Sequence, residues 1–142
     1  MKKINKKGFT LVELLLVIAI IGILAAVLFI GLGNQRERAR TTTFKENMRG
    51  LVTAYTACAD GAGTIYVGAA NGTSTACTGG TSGVTGNIPK ITQCNDASAN
   101  VTLTSTQTTG DRWNVSSICT RTSGSCTAAC SADGCVFTGQ CD

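Results

Sequence analysis

Residues 6–16 read Lys6-Lys7-Gly8-Phe9-Thr10-Leu11-Val12-Glu13-Leu14-Leu15-Leu16, and the fold of the whole chain turns on this stretch. Four lysines (Lys2, Lys3, Lys6, Lys7) precede Gly8, and the apolar run that follows is broken only by Glu13. The 19 residues from Leu14 to Leu32 carry no charge. At about 1.5 Å per residue they span roughly 28 Å, the thickness of a bilayer core. A carboxylate at the head of such a segment is expensive, costing roughly 2.5–3.5 kcal/mol at mid-membrane and less near the edge. A charge merely tolerated at the interface is the plain reading of Glu13. A functional partner that offsets the cost is the stronger one.

Two simpler readings of this N-terminus fit less well. A secretory signal peptide has an apolar stretch of about 7–15 residues followed by a small-residue cleavage site. Here the stretch is longer, contains an acid, and holds Leu24-Ala25-Ala26 inside it. A plain single-span anchor fits the length but has no use for Gly8-Phe9 or Glu13. The four lysines place the N-terminus in the cytoplasm by the positive-inside rule, so the remainder is expected to be exported.

The segment resembles the N-terminal signal of type IV pilins and of the related pseudopilins of type II secretion. That signal is a short basic leader ending in Gly, then Phe, then Thr-Leu-Val/Ile-Glu and an apolar helix. Gly8-Phe9-Thr10-Leu11-Val12-Glu13 fits it at every position, and the likeness continues through Ile18-Ala19-Ile20-Ile21-Gly22-Ile23-Leu24-Ala25-Ala26. The resemblance implies cleavage between Gly8 and Phe9 by a prepilin peptidase that also methylates the new Phe9 amine. It implies further that Glu13 faces the Phe9 ammonium of a neighbouring subunit as subunits stack. An opposite charge nearby favours the ionised carboxylate and recovers part of its desolvation cost. On this view Glu13 is uncompensated before assembly and sets axial register afterwards.

Composition agrees with export. Eight cysteines and no histidine in a small chain point to disulfides in an oxidising compartment. Cys58, Cys77, Cys94, Cys119, Cys126, Cys130, Cys135 and Cys141 all lie beyond the membrane run, and none forms a C-x-x-C pair, so a zinc site is not expected. Eight cysteines allow 105 pairings, and the sequence does not choose among them. Charge divides along the chain. Arg36, Arg38, Arg40, Lys45 and Arg49 follow the membrane run, whereas beyond Gly50 only Lys90, Arg112 and Arg121 stand against Asp60, Asp96, Asp111, Asp133 and Asp142. The arginine group is expected to pair with Glu37 and Glu46 or with lipid head groups, not to bind nucleic acid directly.

Past the membrane the helix is expected to continue through Gly31, Gly33 and Asn34, poor helix formers at about 1 kcal/mol per glycine relative to Ala. Many pilins carry a proline in this neighbourhood, where this chain has Ile30 and two glycines. From Phe44 apolar residues return at three and four, through Met48, Leu51 with Val52, Tyr55 and Cys58, marking a packed face. Arg40, Lys45, Glu46 and Arg49 are assigned to water. Asp60-Gly61-Ala62-Gly63 ends the helix.

The remainder is a Thr/Ser/Gly/Asn-rich head. Thr64-Ile65-Tyr66-Val67 reads as a short strand. Val101-Thr102-Leu103-Thr104 and Trp113-Asn114-Val115-Ser116 alternate apolar and polar residues, with Thr108-Thr109-Gly110-Asp111 as a hairpin loop. Gly134-Cys135-Val136-Phe137 adds an edge strand, and residues 68–86 read as surface loop without core residues. With one Trp and few large apolar residues, the core is marginal without disulfides. Asn71-Gly72-Thr73, Asn100-Val101-Thr102 and Asn114-Val115-Ser116 fit the N-glycosylation pattern but are what chance gives in so Thr/Ser-rich a chain.

The expected fold is α+β: a long N-terminal helix, transmembrane in its first half and amphipathic in its second, packed on a small disulfide-rich antiparallel β head. Its expected segments are a leader (1–8), a transmembrane and assembly helix (9–33), an amphipathic helix half (34–60) and a Cys-rich head (61–142). No catalytic constellation, metal site or cofactor is expected. The family likeness implies a subunit that polymerises with itself, alone or with minor pilins, after meeting the prepilin peptidase/methyltransferase and an inner-membrane assembly platform. Before assembly it would be a single-pass inner-membrane protein in contact with lipid, its N-terminus cytoplasmic. Afterwards it would stand in an extracellular pilus serving adhesion, motility or DNA uptake, or in a periplasmic pseudopilus serving secretion. Both remain open.

Overall fold

A computed structural model describes residues 8–81, 83, 86–107 and 112–142; the leader lysines and the 108–111 hairpin loop lie outside them. One helix, α1, runs Leu11–Asp60, so Gly33 and Asn34 fall within it. The chain divides into two compact units, one ending at Gln35 and one running Arg36–Asp142.

In the first unit Leu11–Phe29 is a 19-residue stretch long and apolar enough to cross a membrane, and none of it is buried within the chain. Phe9, Leu11, Val27, Leu28 and Phe29 are each at least 67% exposed, so this surface has to be covered by lipid or by other protein.

The second unit has one core, shared by residues 36–60 of α1 and a sheet. The helix face at three- and four-residue spacing is the buried one: Phe44, Met48, Leu51, Tyr55 and Cys58 are all at most 3% exposed. Full burial of Phe44, Met48 and Leu51 is worth roughly 1.5–3 kcal/mol each. Thr41, one turn earlier, is buried as well, and its hydroxyl donates to Glu37 O at 2.8 Å. Thr42 and Thr43 donate in the same way to Arg38 O and Ala39 O, which lets three β-branched hydroxyl residues stand in a row within the helix.

The five-stranded antiparallel sheet has the order β2-β4-β5-β6-β7, with β2 Gly68–Ala69, β4 Thr102–Gln107, β5 Asn114–Arg121, β6 Gly124–Ser131 and β7 Gly134–Gly139. A separate two-stranded piece pairs β1 Thr64–Ile65 with β3 Cys77–Thr78. The anticipated β4–β5 pairing is present, with Thr104 opposite Ser116, and β7 is an edge strand. Strand β6, Gly-Ser-Cys-Thr-Ala-Ala-Cys-Ser, has no counterpart in the sequence-based strands. Its inward residues Cys126, Ala128 and Cys130 are too small to give a strand signal, yet all are buried. Trp113 closes the core edge-on against Tyr55, ring centroids 5.6 Å apart.

Residues 68–86 depart from the expected surface loop. They contribute β2 and β3, and Ala70, Ala76 and Cys77 are buried. Small side chains suffice there because backbone bonds, among them Ala70 N–H to Val101 O and Ala76 N–H to Gly86 O, draw the segment against the core.

All eight cysteines are paired: Cys58–Cys77, Cys94–Cys119, Cys126–Cys141 and Cys130–Cys135. The first fastens the end of α1. There Ala62, with φ of 56°, takes the left-handed position, and Gly63 N–H returns to Cys58 O at 2.9 Å while Ala62 N–H bonds Ala59 O. The residue in the left-handed conformation is thus an alanine. Gly63 has a different reason to be glycine, since a Cβ there would stand 2.5 Å from Cys77 Sγ and 2.8 Å from Cys58 Sγ.

Candidate functional site

The start of α1 is built by Thr10 and Glu13. Thr10 stands just outside the helix, and its carbonyl accepts the first helical bond from Leu14 N–H at 3.3 Å. Glu13, three residues on, returns a carboxylate oxygen: Oε2 accepts from Thr10 N–H at 2.9 Å and from Thr10 Oγ1 at 2.7 Å. Glu13 N–H in turn donates to Thr10 Oγ1 at 3.3 Å. This reciprocal pattern is a capping box, which satisfies donors that the first helical turn leaves without partners. The negative charge also faces the positive end of the helix dipole.

Through the box Glu13 is partly compensated by its own chain, while its charge stays unneutralised. One of its oxygens is already engaged by its own chain. The other, Oε1, has no hydrogen-bond partner among the described residues, although a carboxylate offers about four lone-pair sites. Thr10 is the residue that sequence reasoning passed over. Its signal in the sequence is Thr10-x-x-Glu13 ahead of an apolar run.

Phe9 precedes the box and is 75% exposed. Gly8 has open space around it, with no atom within 4 Å of where a Cβ would stand, and it is not among the glycines with positive φ. Nothing among the described residues calls for glycine at position 8. The apolar stretch and Phe9, Thr10 and Glu13 therefore lie together at one accessible end of the helix.

Among the described residues, none of Arg36, Arg38, Arg40, Lys45 and Arg49 forms an ion pair with Glu37 or Glu46. Glu37 faces Arg121 from the end of β5, with Nε 4.0 Å from Oε2, and also accepts from the Thr122 hydroxyl and from Thr122 N–H at 3.4 Å. Arg40 donates to Cys94 O at 3.5 Å, Lys45 to Cys141 O at 2.8 Å, and Arg49 lies 5.1 Å above the Phe137 ring. Arg40 and Lys45 are half-buried, not directed freely to water. These cations tie residues 36–60 of α1 to the head, through the Cys94 and Cys141 carbonyls, the Phe137 ring and an ion pair of Lys45 with Asp142 at 4.0 Å.

Residues 3–29 match the family described as the prokaryotic N-terminal methylation motif. The chain is also similar to the type IV wide pilus major component PilA4 of Thermus thermophilus, at 57% identity over 51 residues. That stretch is 36% of this chain and 33% of the relative, so the chain spans about a third of the length of the curated relative it matches. No solved structure matches the chain.

Proposed function

We propose that the chain is a prepilin, cut between Gly8 and Phe9, methylated at Phe9, and polymerised through its N-terminal helix into a type IV pilus-like surface filament. The observation that carries this reading is a single carboxylate, Glu13, at the head of an exposed apolar stretch, with Oε1 unbonded among the described residues. In lipid the stretch Leu11–Phe29 is covered but the charge is poorly served. In a bundle of such helices the same surface is covered by neighbours, and the Phe9 ammonium of one subunit reaches Glu13 of the next. The pair forms only at one axial offset, so a charge that is costly in the monomer sets register in the polymer.

Gly8 supports the same reading from another side. No described atom outside its chain neighbours would meet a Cβ at Gly8, so a glycine there is free to serve the close approach of a peptidase to the backbone. The methylation motif and the likeness to a wide-pilus component agree with it. Before assembly the subunit sits in the inner membrane with the lysine leader in the cytoplasm and the disulfide-bonded head exported. Its partners are the prepilin peptidase/methyltransferase, the assembly platform and further copies of itself.

Electron microscopy of producing cells, with gold-labelled antibody to the head, tests the reading. Labelled surface filaments are the expected result. Filaments confined to the periplasm would assign the chain to a secretion pseudopilus instead, and monomer in the membrane under all conditions would overturn polymerisation.

A further inference from the structure

Cys119 on β5 and Cys126 on β6 stand directly opposite each other in the ladder, and both are fully buried on the inward face. They are not bonded to each other. Cys119 joins Cys94 in the segment before β4, and Cys126 joins Cys141 near the chain end. Opposite residues of an antiparallel pair have Cα atoms about 4.5–5.5 Å apart, inside the range of about 4.4–6.8 Å that a disulfide spans. The adjoining strand pair uses that option, since Cys130 and Cys135 are opposite in β6–β7 and are bonded.

The unused pairing is also quicker to close than the native bond of either cysteine. Cys119 and Cys126 lie seven positions apart and need only the β5–β6 hairpin. The native partners are separated by 25 positions for Cys94–Cys119 and 15 for Cys126–Cys141. Loop-closure entropy alone favours the short closure by about sevenfold and threefold respectively. We propose that this chain passes through a non-native Cys119–Cys126 disulfide and depends on a thiol–disulfide isomerase to reach its native pairing. The inference is independent of polymerisation.

The exchange balances as follows. The Cys141 thiolate attacks Cys126 Sγ, the Cys119–Cys126 bond breaks, and Cys119 leaves as thiolate with no net oxidation. The Cys94 and Cys119 thiols then pass two electrons and two protons to a disulfide donor, which becomes a dithiol. A sheet that closes over the short bond first buries both sulfurs and slows Cys141. A dithiol isomerase attacks that bond while it is still reachable.

The test reoxidises the reduced full-length chain in detergent micelles with a glutathione redox buffer. Samples are quenched in acid, alkylated and mapped by mass spectrometry. Cys119–Cys126 should rise early, well above the share of about one seventh that random pairing among eight cysteines gives Cys119. It should then fall as the two native bonds appear, with added protein disulfide isomerase shortening its lifetime severalfold. A share at or below one seventh throughout would overturn the proposal. So would two free thiols in a refolded Cys94→Ser, Cys141→Ser chain, where the remaining pair should close. If that variant misfolds, the wild-type time course decides.

Discussion

Gly63 lies so close to Cys77 that the disulfide closing the helix end leaves no room for a side chain there: an added Cβ would sit 2.5 Å from Cys77 Sγ. Gly63→Ala should therefore destabilise the Arg36–Asp142 unit by about 1–3 kcal/mol, the usual cost of overpacking. The bond itself, across 19 residues of sequence, is worth roughly 3 kcal/mol. In a Cys58→Ala, Cys77→Ala background most of the Gly63→Ala cost should disappear, because the obstructing sulfurs are gone. Urea unfolding of the four variants measures this. An equal cost in both backgrounds would place the constraint elsewhere.

Tyr55 predicts how the head responds to alkali. Burial, with a smaller contribution from nearby Tyr66, pushes its phenol well above the ordinary tyrosine range. Its hydroxyl donates to Tyr66 O at 2.9 Å. A raised folded-state value means the contribution is complete below the unfolded pKa of about 10 and is lost as pH climbs beyond it. Urea midpoints in thiol-free buffer should fall more between about pH 9.5 and 11 for wild type than for Tyr55→Phe. At neutral pH Tyr55→Phe should cost about 1–3 kcal/mol, since the Tyr66 carbonyl loses its donor. Parallel slopes for the two proteins would show that Tyr55 does not control the alkaline limb.

The parts of this fold legible in the sequence are those with a strong period or large side chains. The Phe44–Met48–Leu51–Tyr55–Cys58 stripe is the buried face of α1, and Leu103, Val115 and Trp113 mark the sheet interior. Strand β6 was not legible, because Cys126, Ala128 and Cys130 fill a core by sulfur and methyl groups that carry no strand preference. The same holds for Ala70 and Ala76 in residues 68–86. The Glu37–Arg121 contact joins positions 84 apart, which no local pattern reveals. At the candidate site the reverse occurred. Glu13 is conspicuous as a charge in an apolar run, whereas the Thr10-x-x-Glu13 spacing is a weak signal beside it.

Processing can be separated from folding at Gly8. Protein extracted from the membrane should begin at Phe9, with a methylated amine, by N-terminal sequencing and intact mass. Gly8→Leu should leave precursor uncut in the membrane while the head keeps its melting temperature, because no atom lies within 4 Å of the new side chain's first carbon. An equal drop in melting temperature and processing would mean that Gly8 serves the fold after all. A mature N-terminus at another residue would remove the basis for pairing Phe9 with Glu13.

Filament counts for Glu13→Gln test the account most directly, because this variant separates the two things Glu13 can do. The amide oxygen of glutamine still accepts from Thr10 N–H, so the capping box survives while the charge is lost. Glu13→Ala and Glu13→Leu remove both. All three should insert, be cut after Gly8 and form the four disulfides, since the head lies far along the sequence from this position. At equal subunit levels, charge pairing with Phe9 predicts that Glu13→Gln gives few or no filaments, as Glu13→Ala and Glu13→Leu do. Normal filament numbers from Glu13→Gln, with few from the other two, would contradict charge pairing and leave helix capping as the role of Glu13.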